Sequence, residues 1–317
     1  MNGSQPSSCF NNPTAEKIGK TLFYSSILLV ALAGNTVIGI IVYKTKTMRK
    51  PINFFIVNMA MSDLLYPIFL IPMWIVRLNI KESWLIGGPL GQTLCKLVFF
   101  LIHVPAVVSI QSLVLIAVDR FGAVVFPLRS SPISSKLCPF FILTTWIIAL
   151  AVFSPYLFVM KIVEHPAGRL ECNMLWNEVF GQTSSFRNHF LAFSVVLIFT
   201  PLVLIAMLYI IIFLKLKSQK IPGEQSANNE AAQRRQRERN VLKMAIAIVL
   251  GFAICWLPLV IIWLLVLFAS LDIRMSCGFQ YFYSFAELMV SANCAISPCI
   301  CFIFSSNYRE GLKTLLR

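Results

Sequence analysis

The chain has 317 residues, of which 58% are hydrophobic and only 13% charged, with a formal net charge of +14. Soluble domains run nearer ~45–50% apolar and ~25% charged, so lipid has to cover part of this chain. That excludes a soluble enzyme and a disordered chain, and it excludes a nucleic-acid-binding domain because the basic residues sit in short clusters between long uncharged runs.

In chain order, residues 1–20 are polar, mixed in charge and without a cleavable signal pattern. Seven apolar runs follow, between Lys20 and Lys44, Lys50 and Arg77, Lys96 and Asp119, Lys136 and Lys161, Arg187 and Lys215, Lys243 and Asp272, and Arg274 and Arg309. Only Asp63 in the second and Glu287 in the seventh interrupt them. Each run reaches the ~20 residues that a helix needs to cross hydrocarbon, and none alternates like a barrel strand. The expected fold is an all-α membrane protein, a seven-transmembrane helix bundle over 21–304. One sizeable linker, from about Lys217 to Arg239, carries Pro222 and Gly223 and then a basic run, and it reads as a flexible piece followed by an extension of the sixth span.

An odd number of spans puts the termini on opposite sides. The segments on the C-terminal side hold two thirds of the 27 Lys and Arg residues. Basic loops stay cytoplasmic, so 1–20 is expected to be an extracellular N-terminus of a multi-pass plasma-membrane protein. The sequon at Asn2 lies on that outer side, where glycosylation occurs.

Of nine cysteines, Cys138, Cys255, Cys294, Cys299 and Cys301 fall in or at the edges of spans and read as small buried apolar residues. Cys9, Cys95, Cys172 and Cys277 lie outside, an even number in an oxidising compartment. Disulfides follow, with three connectivities open. No Cys/His cluster has zinc spacing, so no metal centre of that kind is expected. Asp63, a carboxylate near mid-membrane, marks a functional site by its cost alone. Arg120, at the cytoplasmic end of the third span, has Asp119 beside it to hold its charge, and Glu238 at the base of the sixth span is within reach.

An ordered set of residues now accumulates along the spans. It comprises Gly34-Asn35 in the first, Asn58 to Leu64 in the second, Trp84 in the first outer loop and Cys95 at the top of the third. Asp119-Arg120-Phe121 closes the third span, Trp146 lies in the fourth, and Pro201 stands in the fifth with Tyr209 eight residues on. Phe252 and Cys255-Trp256-Leu257-Pro258 mark the sixth, and Ser297-Pro298-Cys299-Ile300-Cys301 ends the seventh. The set resembles the rhodopsin-like (class A) G-protein-coupled receptors over nearly the whole chain, with the general look of their peptide-receptor branch. Tyr308 to Lys313 resembles the family's short amphipathic eighth helix, which makes 305–317 that helix and the tail.

The resemblance implies roles. Asp119, Arg120, Glu238 and Tyr209 would form the G-protein switch, a clamp between spans three and six that opens on activation. Ile110, Pro201 and Phe252 match the packing switch beneath the ligand pocket, and Trp256 and Pro258 match its toggle and kink. Asp63 with Ser109, Asn293 and Ser297 would hold an allosteric sodium ion, the one cofactor to be considered, although Pro105 offers no oxygen one turn before Ser109. Cys95 would be bonded to Cys172, which leaves Cys9 and Cys277 as a second pair. Two departures stand beside Pro298: Ser297 replaces the usual Asn or Asp, and Cys301 replaces a Tyr that normally meets the Tyr209 position in the active state.

For the ligand, the resemblance mostly excludes. No Lys lies between Arg274 and Arg309 for a Schiff base, and Ile102 stands where aminergic receptors carry Asp. The candidate pocket residues are Ile102, His103, Trp256 and Glu287, with Trp74 beside them. Neighbouring spans show no obvious basic partner for Glu287, which is expected to anchor a cationic group of the ligand. The expectation is a non-enzymatic receptor that binds an extracellular, neuropeptide-like peptide and activates a heterotrimeric G protein, with arrestin as a further cytoplasmic partner and the bilayer around it. The alternatives are a lipid or other small-molecule receptor and a weakly coupling receptor-fold protein. A transporter would need paired repeats and more intramembrane charges.

Overall fold

The computed structural model describes residues 13–80, 84–126, 133–165, 168–181, 183–218, 229–268, 273–274 and 276–317. Among them, seven helices are long and apolar enough to cross a membrane: α1 (Thr14–Lys44), α2 (Pro51–Ile80), α3 (Gly88–Val125), α4 (Cys138–Val159), α5 (Phe186–Lys215), α6 (Arg239–Phe268) and α7 (Cys277–Phe304). A further helix, α8 (Ser306–Leu316), follows at once. Helical structure begins before three of these spans, at Pro13 for α1, at Thr183 for α5 and at Asn229 for α6. The early start of α1 has local causes. Pro13 is preorganised for a first helical turn, and Glu16 pairs with Lys20 four residues on. Lys17 Nζ also donates to Asn79 O at 3.2 Å, which fastens this extension to the end of α2.

Prolines shape the spans because each withholds an N–H from the carbonyl four residues back. The regular helix pauses at Leu64, ahead of Pro67, and at Ile102–His103, ahead of Pro105. Ahead of Pro201, α5 widens into a π turn over Val195–Phe199, and Thr200 Oγ1 donates to the Val195 carbonyl at 2.8 Å.

In hydrocarbon, polar side chains must find partners within the protein, and three buried asparagines do this between helices. Asn35 Nδ2 donates to Cys294 O at 2.8 Å, the carbonyl that Pro298 leaves without its usual donor. The helices are close there: a Cβ on Gly34 would stand 2.7 Å from Pro298 Cβ. Asn58 joins three helices, with Nδ2 donating to Ser112 Oγ at 2.9 Å and Thr145 Oγ1 at 3.1 Å while Oδ1 accepts from Trp146 Nε1 at 2.8 Å. Asn53 Oδ1 accepts from Tyr308 Oη at 3.2 Å and so docks α8 under α2. Around these stitches lies the largest apolar cluster, which includes Ile38, Phe55, Ile110, Leu113, Ile205 and Phe252.

Between α4 and α5 the chain adds an antiparallel hairpin that no sequence pattern announced. Its strands are β1 (Met160–Glu164) and β2 (Leu170–Met174), with Ile162 opposite Cys172. The reversal uses Gly168 at φ 73°, where a side chain would be strained. Cys172 is disulfide-bonded to Cys95 of α3, and Gln92 adds a second tie, donating to Met160 O and accepting from Ile162 N, both at 3.0 Å.

Asn58→Ala strands the half-buried Trp146 indole N–H and removes a junction of three helices. It is expected to cost about 1–3 kcal/mol and to lower the thermal midpoint of the detergent-solubilised protein by several degrees. Thr144→Ala, which loses only an exposed hydroxyl bonded to Phe140 O in its own helix, should leave that midpoint unchanged.

Candidate functional site

Helices α2 to α7 enclose a cavity of about 330 Å³, within the range of ligand pockets. Its two sides differ in chemistry. The wall from α3 to α6 is aromatic: Phe153, Tyr156, Phe186, Phe190, Phe193 and Trp263. Trp263 lies 5.5 Å from Phe190 and 6.2 Å from Phe186, centroid to centroid, and the α4 ring Phe153 lies 5.3 Å from Phe193. The corner formed by α2 and α7 is polar, with Trp74, Arg77, Tyr283 and Glu287. The aromatic wall and Arg77 were not singled out from sequence. Rings within an apolar run look alike whether they face lipid or a cavity, and Arg77 looked like no more than the end of a span.

Ile102, His103, Trp256 and Glu287, the pocket residues expected from the sequence, all line this cavity, and so does Trp74. His103 Nδ1 donates to Phe99 O at 2.6 Å, and its ring lies 4.5 Å from that of Tyr156. Trp256 stacks on Phe252 at 5.8 Å, and Phe252 is part of the same buried cluster as Ile110. The cavity is thus continuous by ring contact with the core beneath it.

Glu287 requires a correction. The fold brings basic charge to it: Arg77 and Lys20 both act electrostatically on its carboxylate, and the Tyr283 hydroxyl faces it. Arg77 lies over the Trp74 ring, 5.5 Å from the centroid, and makes no ion pair among the described residues. Oε1 of Glu287 is buried and has no hydrogen-bond partner among the described residues.

Asp63 is 1% exposed. Ser109 Oγ donates to its Oδ1 at 3.1 Å, and Ser62 Oγ lies 3.4 Å from Ser109 Oγ. Ser297 faces the same carboxylate, while Oδ2 has no hydrogen bond of ordinary geometry. Asn293, one turn before Ser297, is buried but makes no hydrogen bond to Asp63 among the described residues. At the other end of the bundle, Arg120 pairs with the buried Asp119, its Nε 3.1 Å from Oδ2 and its Nη2 on the same oxygen. Tyr209 senses the charge of Arg120, yet its buried hydroxyl has no hydrogen-bond partner among the described residues. Cys301 is a fully buried free thiol. Pro258 and Pro298 lie within α6 and α7, and Pro201 follows the π turn of α5. The side chain of Glu238 lies outside the described residues, as do Cys9 and Asn2, and Cys277 is disulfide-bonded.

Comparison with known proteins agrees with this geometry. The profile of the 7 transmembrane receptor (rhodopsin family) matches residues 34–300. Similar proteins include the QRFP-like peptide receptor of Branchiostoma floridae, 31% identical over 93% of this chain and 77% of the relative. Somatostatin receptor type 5 of Bos taurus is 29% identical over 96% of this chain and 78% of its own length. Neuropeptide FF receptor 2 of Rattus norvegicus is 27% identical over 92% and 70%.

If the cavity admits water-borne molecules, Tyr283→Cys, at a lining position 40% exposed, should react with a charged methanethiosulfonate reagent added to intact cells. Ala286→Cys, at a position with 0% exposure, should stay unlabelled. Equal labelling of the two would mean that this end of α7 is arranged differently.

Proposed function

The chain belongs to the rhodopsin family of seven-transmembrane receptors, and we propose on that footing that it is a plasma-membrane receptor for an extracellular peptide, activating a heterotrimeric G protein. The observation that carries the peptide reading is the unpartnered buried oxygen of Glu287 in a cavity with an aromatic wall opposite. A peptide side chain or N-terminus supplies the cation that such an oxygen accepts, and neighbouring residues supply rings for the wall. The names of the relatives support the same class of ligand.

The remaining assignments follow the same reading. The N-terminus is extracellular, Asn2 carries the glycan, and Cys9 is the partner of Cys277. Asp119 and Arg120, with Glu238 and Tyr209, form the switch that the G protein, and then arrestin, engages. Ile110, Pro201, Phe252, Trp256 and Pro258 pass ligand binding down to it. For an allosteric sodium ion the donor set fits: one buried carboxylate with an uncommitted oxygen, flanked by the hydroxyls of Ser109 and Ser297. Oxygen donors of this kind suit a hard cation. Asn293 would complete the set, and Pro105 removes one donor that relatives use.

A screen of basic peptides in cells that carry a promiscuous G-protein reporter tests the class of ligand. With an agonist in hand, Glu287→Gln should weaken it roughly tenfold or more, because a charge-assisted hydrogen bond of about 1.5–3 kcal/mol is lost. Unchanged potency of a basic peptide would discard Glu287 as its anchor.

A second reading, a receptor that couples weakly, draws on the hydroxyl of Tyr209, which has no partner, and on the thiol at Cys301. Cys301→Tyr restores a phenol on α7 and should raise agonist efficacy or basal signalling at matched surface expression. No gain, with normal expression, would show that activation does not run through this pair.

A further inference from the structure

Where α1 ends and α8 lies along the bundle, the chain forms a second cleft, of about 430 Å³. Its walls are fixed. A Cβ on Gly311 would stand 2.5 Å from Ile41 Cγ2, so α8 is pressed against α1, and buried Tyr308 ties α8 to Asn53. Into the cleft come two cations, Lys44 and Lys46, the hydroxyls of Thr45, Thr47 and Thr314, and one carboxylate, that of Glu310.

The nearby arginines are committed to the fold. Arg309 Nη1 donates to Phe302 O at 3.1 Å and Ile303 O at 2.6 Å, closing the end of α7. Arg49 Nη2 donates to Tyr43 O at 2.7 Å, and its guanidinium lies 5.9 Å from the centroid of the Tyr43 ring. Lys44 and Lys46 differ: both are exposed, and neither is in an ion pair among the described residues. Two lysines against one glutamate leave the cleft with a single net positive charge. Its position is equally specific. Lys44 is the last residue of the α1 span, and α8 starts directly after the α7 span ends at Phe304. The cleft therefore sits at the edge of the hydrocarbon, at the depth of lipid phosphates, next to Ile303 and Leu316, which are 65% and 79% exposed.

We infer that this cleft binds the headgroup of phosphatidylserine. That headgroup carries phosphate, carboxylate and ammonium, and its net charge is opposite to that of the cleft. Phosphate and carboxylate meet Lys44 and Lys46, and the ammonium meets Glu310, with the hydroxyls of Thr45 and Thr47 as further donors and acceptors, while that of Thr314 donates to Glu310 O at 3.0 Å. A glycerol headgroup offers a phosphate but no cation for Glu310. A choline headgroup carries no net negative charge to hold the lysines. The inference rests on the membrane fold and is independent of the ligand bound in the main cavity.

The test uses the full chain in nanodiscs of phosphatidylcholine that contain equal minor fractions of phosphatidylserine and phosphatidylglycerol, with retained lipid counted by native mass spectrometry. Phosphatidylserine should be retained over phosphatidylglycerol. Lys44→Gln and Lys46→Gln should each lower its retention roughly fivefold, the strength of one basic residue at a membrane surface. Glu310→Gln should abolish the preference between the two lipids while anionic lipid is still held. The side chains are exposed, and unchanged thermal midpoints confirm folded variants. Equal retention of both lipids by the unmodified chain overturns the inference, as does indifference to the two lysine substitutions. Displacement of the lipid by free phosphoserine would assign the cleft to a soluble molecule. Impaired G-protein activation in the lysine variants, with phosphatidylserine still retained, would assign it to the G protein.

Discussion

A carbonyl within a bilayer has no water to turn to, and the one at Cys294 loses its helical donor to Pro298 four residues on. Asn35 supplies the replacement at 2.8 Å. That bond sets more than one contact. It holds α1 against α7 where Gly34 leaves room for the proline ring, and it fixes the azimuth of α7. The azimuth in turn decides which residues face the interior. Ser297, three residues on, meets Asp63, and Glu287, two turns earlier, meets the cavity. A larger residue at Gly34 or an apolar one at Asn35 would disturb both ends of α7 together.

The polar groups of the interior divide by whether the protein itself satisfies them. Asn53 and Asn58 spend both ends of their amides on hydrogen bonds and read as structure, while Asn35 spends its Nδ2 between helices and keeps a buried Oδ1 with no partner among the described residues. Glu287 Oε1, Trp256 Nε1, Asp63 Oδ2 and Tyr209 Oη are buried and keep a bonding capacity that no atom of the described residues takes up. They come from four different helices, and further buried groups of the same kind lie at Asn35 Oδ1, Trp84 Nε1, Trp176 Nε1 and Ser194 Oγ. A folded chain tolerates such groups at a cost of about 1–3 kcal/mol each, and a chain selected for stability alone would replace them.

The spans were legible because seven long apolar runs admit few other folds, and the motif residues were legible because each does a job that few side chains can do. What escaped the sequence was relational. The hairpin pairs Ile162 with Cys172 across a reversal, and five-residue strands at the end of an apolar run carry too little alternation to be seen. The π turn of α5 depends on how a helix absorbs Pro201, and sequence only marks that something must give. Arg77 reaches the field of Glu287 from another helix, a proximity that exists only after the bundle has closed. Asn293 is the converse case: its register along α7 is suitable, yet its side chain makes no bond to Asp63.

At the cytoplasmic end the same reasoning changes what the arginine clamp means. Asp119 and Arg120 are neighbours on one helix, so their ion pair does not by itself tie α3 to anything. Its effect is to commit Arg120. The acid is 2% exposed and the base 20%, so drawing the guanidinium away would leave a buried carboxylate without this partner, which is far costlier than opening a surface pair. Any element that competes for Arg120 must bring polar groups of its own. In this chain Tyr209 stands close enough to sense the arginine's charge and has its hydroxyl uncommitted, whereas α7 offers a thiol at Cys301, which can donate only weakly. On the proposed reading, competition for Arg120 would therefore come from α5 more than from α7. An agonist acting through Trp256 and Phe252 would reach the switch by way of the packing at Ile110, next to the π turn that already loosens α5 above Tyr209.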